Sequence, residues 1–189
     1  MEALEALAVG LNFTFLILII REKTIGWPFG ILGSAISIYL FIDAKLYSEA
    51  LLYSFYVVMG VYAWYYWAKN THNAGEGGIQ TWSWMRHLVF TLAAGFGTFL
   101  LGFYFKQNTD AAQPYADSGS TMFSFLATYM EAQKVLSGWI YWIAINLFSV
   151  WLYYNRGLSI YAGLMVIYGI LSVVGYWKWT QRLNIQNAN

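Results

Sequence analysis

The chain has 189 residues, of which 59% are hydrophobic, 21% are aromatic and only 10% are charged, and its formal net charge is +1. Soluble domains carry about 25% charged residues, so this chain has too few to cover a surface that faces water. The composition predicts an integral membrane protein and excludes a basic nucleic-acid-binding protein. Because the chain has no cysteine, disulfides and thiolate metal sites are also excluded. We expect no metal ion and no cofactor.

Seven apolar segments follow one another along the chain. They cover residues 3–20, 25–42, 46–68, 86–105, 119–132, 139–155 and 158–179. Most approach the ~20 residues that an α-helix needs to cross about 30 Å of hydrocarbon. The N-terminus has two glutamates and no basic region, unlike a cleavable signal peptide. The sequence therefore predicts an all-α membrane protein with seven transmembrane helices.

The basic residues predict the orientation of these helices. With seven spans, the side that holds the C-terminus carries Arg21, Lys23, Lys69, Arg86, Lys134, Lys178 and Arg182. The opposite side carries Lys45, Lys106 and Arg156. Because cytoplasmic loops are enriched in lysine and arginine, we expect a cytoplasmic C-terminus and an external N-terminus.

An internal repeat organises the chain. Residues 26–67 align without a gap on residues 138–179, with eleven of 42 positions identical. The prediction is a 3+1+3 arrangement: a first three-helix unit (1–68), loops with a linker helix (69–118) and a second three-helix unit with the C-terminal tail (119–189). The linker span keeps the two units parallel. Parallel repeats occur in transporters, whose substrate site lies between the repeats near the membrane midplane.

A stripe of large side chains that carry hydrogen-bonding groups runs along the sixth helix. Trp139, Trp142 and Asn146 share one face at helical spacing. The matching stripe of the first unit begins at Trp27 and continues with small residues, which would leave room for a flat ligand. Two other interpretations stay open, because an asparagine can join two membrane helices and a tryptophan can belong to the interfacial aromatic belt.

A second stripe lies on the third helix and contains Glu49, Tyr53 and Tyr56. A carboxylate inside a membrane is costly and often marks a substrate or ion pathway. Aromatic faces beside it would suit a cationic aromatic ligand, and Tyr161 is the counterpart of Glu49 on the seventh helix. The alternative is that these rings pack a core and that Glu49 lies in the solvated external mouth.

Three stretches together resemble the PnuC-type bacterial vitamin transporters. They are the W-x-x-W-x-x-x-N motif of residues 139–146, "LYSEALLYSFYVVMGVYAWYYW" and "YMEAQKVLSGW", within a resemblance that covers residues 21–179. The resemblance implies a SWEET-like fold, a homotrimer in the bacterial cytoplasmic (inner) membrane, and facilitated diffusion of an unphosphorylated vitamin that a kinase traps inside. It also implies that Trp139, Trp142 and Asn146 contact the ligand.

The substrate expectation depends on Tyr53. Nicotinamide riboside carriers of this family usually have a glutamine at that place, and a phenol lacks the paired donor and acceptor edge of an amide. The chain is similar in this respect to the thiamine-transporting PnuT group, so we expect thiamine, with nicotinamide riboside as the alternative. A vitamin-binding subunit of a larger importer is a further alternative. Because HExxH and GxSxG motifs are absent, we do not expect an enzyme.

Overall fold

The computed structural model describes residues 2–43, 47–70, 78–109, 113–157 and 159–188. Within these ranges the chain forms α1 (Glu2–Ile20), α2 (Gly26–Asp43), α3 (Tyr47–Asn70), α4 (Trp84–Asn108), α5 (Pro114–Ala132), α6 (Gly138–Asn155) and α7 (Ser159–Ala188). The described residues hold no strand beyond an isolated bridge between Gln80 and Val135. The predicted all-α fold with seven helices is confirmed. Lys45 and the first residues of two predicted segments, 46 and 158, lie outside the described residues.

The helices have the surface of a membrane protein. By length and composition, α1, α2, α4 and α7 are each apolar enough to cross a bilayer. The other three mix polar and aromatic side chains with their apolar residues. Large apolar side chains such as Ile160 and Trp84 are exposed. Such a surface is stable in hydrocarbon, where a helix also satisfies its own backbone hydrogen bonds.

Two helices extend beyond the predicted apolar segments because their ends are polar. The fifth begins at Pro114 rather than near residue 119, and its first two turns read "PYADSGS". The seventh continues past residue 179 through "TQRLNIQNA" to Ala188. Hydropathy detects the apolar part of a helix, whereas backbone hydrogen bonding continues as long as no residue breaks it.

The helix boundaries bear out the internal repeat and extend it. Helix α5 begins and ends 112 residues after α1, and α6 does the same relative to α2. Helix α7 likewise begins 112 residues after α3. The repeat therefore includes the first helix of each triplet, although the predicted alignment began only at residues 26 and 138.

The first helix of each triplet ends in the same way. Among the described residues, Glu22 and Lys134 are the two non-glycine residues with positive φ, and both have a φ of 54°. The next residue closes the helix with a backbone hydrogen bond: Lys23 N to Leu18 O at 2.9 Å, and Val135 N to Met130 O at 2.8 Å. These are the features of a Schellman motif, in which a left-handed residue terminates the helix. The two copies of the repeat thus share individual backbone hydrogen bonds.

The helix that follows each of these turns begins at a glycine that packs closely. A Cβ atom at Gly26 would lie 3.0 Å from Leu18 Cβ, and one at Gly138 would lie 3.1 Å from Met130 Cβ. These distances are below an ordinary van der Waals contact, so both glycines permit the close approach. In the second triplet this places the start of α6 against the last turn of α5.

The chain packs as two compact units. Unit 1 comprises Met1–Ile79, Ala132–Lys134 and Lys178–Asn189, and unit 2 comprises Gln80–Glu131 and Val135–Trp177. Each unit is described by itself below. The domain boundaries at residues 68 and 118 stay a prediction.

Two tryptophans at equivalent positions of the repeat form the core of unit 1. Trp67 Nε1 donates to the carbonyl oxygen of Ala132 at 2.9 Å, and Trp179 Nε1 donates to that of Ile19 at 3.3 Å. Both tryptophans are fully buried. Each therefore bonds the end of the first helix of the other triplet, so the two triplets are tied together reciprocally.

A charged cluster lies beside these tryptophans in unit 1. Lys134 Nζ lies 3.7 Å from a carboxylate oxygen of Glu22 and 4.5 Å above the ring of Trp67, and Arg182 Nε lies 3.8 Å from the same carboxylate group. Burial lowers the pKa of Lys134 below its ordinary value of 10.5, and the Glu22 carboxylate opposes this shift only in part. Lys134 is thus a lysine whose charge is costly in the folded protein.

In unit 2, a polar network joins the linker helix α4 to α6. The Tyr141 hydroxyl lies 2.7 Å from Thr91 Oγ1 and 3.4 Å from His87 Nδ1, and Ser137 Oγ lies 3.1 Å from His87 Nε2. An ion pair joins the neighbouring helices, with Arg156 donating to Asp117 at 2.8 Å. These contacts fix α4, α5 and the two ends of α6 within one unit.

Candidate functional site

The centre of α6 carries a buried amide that is bonded to α7. Asn146 Nδ2 donates to Ser172 Oγ at 3.3 Å, and Ser172 Oγ donates to the carbonyl oxygen of Tyr168 at 2.8 Å. Among the described residues the Asn146 side chain bonds Ser172 alone, so its carbonyl oxygen and second N–H remain for a ligand. The interpretation of Asn146 as a link between helices therefore holds, and the bond uses only part of its capacity.

Trp139 packs against the backbone of α7. A Cβ atom at Gly175 would lie 2.7 Å from the Trp139 ring, so the ring rests directly on that glycine. Trp139 is buried, which rules out a position in the lipid-exposed aromatic belt in this conformation. The contact with Gly175 is what the structure shows for Trp139, and its predicted contact with a ligand stays a prediction.

Trp142 has a partner that sequence reasoning did not include in the site. Its indole lies beside the side chain of Glu131, in the last turn of α5. Glu131 is only 5% exposed. The predicted segments placed this glutamate at a helix end, where a charged residue needs no special role. The available signal was the repeat, because position 131 corresponds to Ile19 in the first triplet.

Trp27, the counterpart of Trp139, lies in the core of unit 1. Its ring meets that of Trp67 edge-on at 5.4 Å and that of Phe15 at 5.2 Å. The buried Trp27 Nε1 has no hydrogen-bond partner among the described residues. An unpaired N–H in such a place costs free energy, and a bound polar ligand would satisfy it.

The remaining candidates lie in aromatic surroundings. In unit 1, the rings of Tyr53 and Tyr56 are 5.2 Å apart, and Phe41 lies 5.0 Å from Tyr53. Glu49 is half-buried one turn before Tyr53. In unit 2, Tyr161 is exposed, and its ring lies 6.0 Å from that of Tyr153.

The structure thus brings together two subsets of the predicted site. Tyr53 and Tyr56 touch in unit 1. In unit 2, Trp142 and Asn146 lie on one face of α6, where Trp142 lies beside α5 and Asn146 bonds to α7. Within the described ranges, no group of His, Asp or Glu residues could hold a metal ion. The chemistry of the site is that of aromatic, amide, hydroxyl and carboxylate groups, which bind an organic ligand.

Comparison with known proteins identifies the family. Residues 2–181 match the family model described as nicotinamide mononucleotide transporter. The riboflavin/roseoflavin transporter RibM of Streptomyces davaonensis is 28% identical over 131 residues, which cover 67% of this chain and 62% of RibM. The nicotinamide riboside transporter PnuC of Escherichia coli is 23% identical over 186 residues, which cover 84% of this chain and 77% of that protein.

A solved structure has the same fold. The crystal structure of the vitamin B3 transporter PnuC superposes with a TM-score of 0.79 and 21% sequence identity, over 98% of this chain and 83% of that chain. The relatives named above are transporters, which agrees with the expectation that this chain is not an enzyme. Because the family model matches almost the whole chain, the chain belongs to the nicotinamide mononucleotide transporter (PnuC) family.

Proposed function

We propose that the chain is a membrane transporter of an unphosphorylated aromatic vitamin, with nicotinamide riboside as the first candidate. The observation that carries this proposal is the buried hydrogen bond between Asn146 of α6 and Ser172 of α7. Asn146 lies on the same face of α6 as Trp142. Two relatives support it, because PnuC is a nicotinamide riboside transporter and RibM is a riboflavin/roseoflavin transporter.

The chemistry of the pair fits a carboxamide. Nicotinamide carries a primary amide, whose adjacent N–H and C=O complement the free N–H and carbonyl oxygen of Asn146. The indole of Trp142 offers a face on which the pyridine ring can stack. Riboflavin is the second candidate, because its ring system also presents an adjacent N–H and C=O and because RibM is a relative.

The preference for thiamine that Tyr53 suggested is not supported by these relatives, and we place nicotinamide riboside before it. The structure weakens the argument from Tyr53, because its ring belongs to an aromatic cluster with Phe41 and Tyr56. A ring that contributes packing and stacking is compatible with either vitamin.

The mode of transport follows from the kind of groups present. Coupling to protons or sodium often needs paired intramembrane carboxylates or a cation cage near the midplane. The acidic residues of α2, α3 and α5 lie near helix ends, at Asp43, Glu49, Asp117 and Glu131. We therefore propose facilitated diffusion, with trapping of the vitamin by phosphorylation inside the cell. The inner membrane, the cytoplasmic C-terminus and the homotrimer remain part of this proposal.

A titration tests the substrate. The chain has ten tryptophans, so quenching of their fluorescence reports binding to the purified protein. We expect nicotinamide riboside to bind more tightly than riboflavin or thiamine, and nicotinamide mononucleotide, which adds a phosphate, to bind weakly. Tighter binding of thiamine would restore the earlier prediction, and binding of none of the four would contradict the proposal.

Reconstitution tests the mechanism. Liposomes that contain only this chain should take up the vitamin until its concentrations inside and outside are equal. A chain that binds the vitamin without moving it would instead be the binding subunit of a larger importer. Accumulation that collapses with a protonophore or without sodium would contradict facilitated diffusion.

A further inference from the structure

We infer that Glu131 is a substrate-binding residue that selects a positively charged aromatic ring over a neutral one. The inference rests on the proposed function and adds to it the residue that recognises charge. Sequence reasoning assigned charge recognition to Glu49, whereas the structure points to a carboxylate in the other unit.

The first observation is the burial of Glu131 beside Trp142. The Glu131 side chain is almost fully buried and lies beside the Trp142 indole. Among the described residues, three ion pairs are present and none includes Glu131. A neutral neighbour compensates a buried carboxylate poorly. The site would therefore gain stability from a bound cation.

The second observation is an internal control that the repeat supplies. The position equivalent to Glu131 is Ile19, which is fully buried. The position equivalent to Trp142 is Gly30. Since α1 and α5 share their length and their terminating turn, the fold at this position needs only an apolar side chain. The glutamate is therefore an addition that the scaffold does not require.

The third observation is the position of the pair relative to the amide. Gly138 lets the start of α6 approach the backbone of Glu131 closely, with a Cβ atom there lying 3.5 Å from Glu131 N. Trp142 follows one turn later and Asn146 one turn after that. A carboxylate, an indole and an amide thus follow one another along unit 2, in an order that suits a cationic ring with a polar substituent.

The chemistry of the proposed substrate matches this arrangement. Nicotinamide riboside has a pyridinium ring with a permanent positive charge, and its dihydro form has a neutral ring with the same ribose and carboxamide. An indole face and a carboxylate both attract a cation. A comparison of these two ligands therefore tests the effect of the ring charge, while the ribose and the carboxamide stay the same.

The test measures the affinity of both ligands for the full chain and for two matched variants. We expect Glu131→Gln to weaken binding of nicotinamide riboside about 10-fold, as removal of a charged partner does, while binding of the dihydro form changes less than about 2-fold. The control Glu49→Gln should leave the ratio of the two affinities unchanged. Glu131→Gln should also unfold at the same or a higher temperature without ligand, since a neutral side chain is easier to bury.

Four outcomes would decide against the inference. An unchanged ratio of the two affinities in Glu131→Gln, which includes an equal loss for both ligands, would show that Glu131 does not recognise the charge of the ligand. A change of the ratio in Glu49→Gln alone would return this role to Glu49. If Glu131→Gln and Glu131→Ile, which copies the first triplet, both fail to fold, Glu131 is a structural group. A wild-type protein that binds neither ligand would contradict the proposed function itself, whereas binding with an unchanged ratio would contradict only this inference.

Discussion

The two triplets of helices, α1–α3 and α5–α7, share their framework and differ in the polarity of their buried positions. Asn146 and Ser172 of the second triplet correspond to Ser34 and Gly60 of the first. Asn146 and Ser172 form a hydrogen bond between two helices. At the matching place in the first triplet, the glycine has no side chain, and a Cβ atom there would lie 2.7 Å from Ile31 Cγ1. At this place one copy thus has a hydrogen-bonded polar pair between two helices, whereas the other has Ser34 and a glycine that packs against Ile31.

Positions that agree between the triplets are those that hold the fold. The glycines at the start of α2 and α6, the left-handed turns before them and the tryptophans that bond helix ends all occur in both. Positions that disagree carry the chemistry of the candidate site. A comparison of the two copies therefore separates structural from functional residues within one sequence, and the following experiments test that separation.

The largest expected effect concerns the two shared tryptophans. Trp67→Ala and Trp179→Ala should each lower the free energy of unfolding by ~3–5 kcal/mol, since each removes a fully buried ring. Trp64→Ala and Trp177→Ala are matched controls, because those rings are 45% and 58% exposed, and each should cost less than ~1 kcal/mol. Unfolding of the purified protein in detergent measures all four. A cost at Trp67 or Trp179 no larger than in the controls would refute the structural role of the shared pair.

A smaller effect is expected where the second triplet has a glycine and the first has Ala63. In Gly175→Ala the new methyl group would meet the Trp139 ring at 2.7 Å, which should cost ~1–3 kcal/mol of stability through overpacking. Gly163→Ala, in the same helix and with no atom within 4 Å of the added group, should be neutral or stabilising. Thermal unfolding compares the two variants. Equal melting temperatures would mean that Trp139 can move away from α7 at little cost.

The polar pair should affect binding more than folding. Replacing Asn146 by serine and Ser172 by glycine copies the first triplet, and we expect vitamin affinity to fall by at least ~1 kcal/mol, the typical value of a hydrogen bond. Ser34→Ala removes the equivalent polar group of the first triplet and should leave affinity unchanged. Fluorescence titration measures both. Equal losses in the two variants would show that the triplets contribute equally to the site.

The smallest effect is a pH dependence at the junction of the triplets. Because burial lowers the pKa of Lys134, the unfolded chain binds the proton more tightly than the folded protein. The stability of wild type relative to Lys134→Met should therefore rise as pH increases toward the ordinary value of 10.5. A relative stability that falls with pH would mean that the Glu22 carboxylate outweighs burial.

The sequence predicted the framework because apolar periodicity and glycine positions recur at a fixed displacement. It also predicted two three-helix units, although the alignment covered only residues 26–67 and 138–179, because the side chains of α1 and α5 have diverged while their lengths and terminating turns have not. The polar first turns of α5 were missed for a related reason, because hydropathy does not register a helix whose end is hydrophilic.

The candidate site was predicted less completely, because partners on other helices decide the role of each residue. Trp139 and Trp142 have the same identity and lie on one stripe, yet one packs on Gly175 and the other lies beside Glu131. Spacing along α6 cannot distinguish these roles. Extending the alignment toward the N-terminus would have placed Glu131 opposite Ile19, which is the contrast that makes this glutamate conspicuous.

The ion pair between Glu22 and Lys134 joins two positions that are equivalent in the duplicated unit. In an association of one three-helix unit with a copy of itself about a two-fold axis, each residue on the axis would meet its own copy. This place would then hold two glutamates or two lysines. Like charges at ~4 Å repel each other, whereas the fused chain has one of each sign. Each half of the chain thus carries the charge that complements the other half at this place. Halves made as separate polypeptides should therefore pair with each other in preference to forming homodimers.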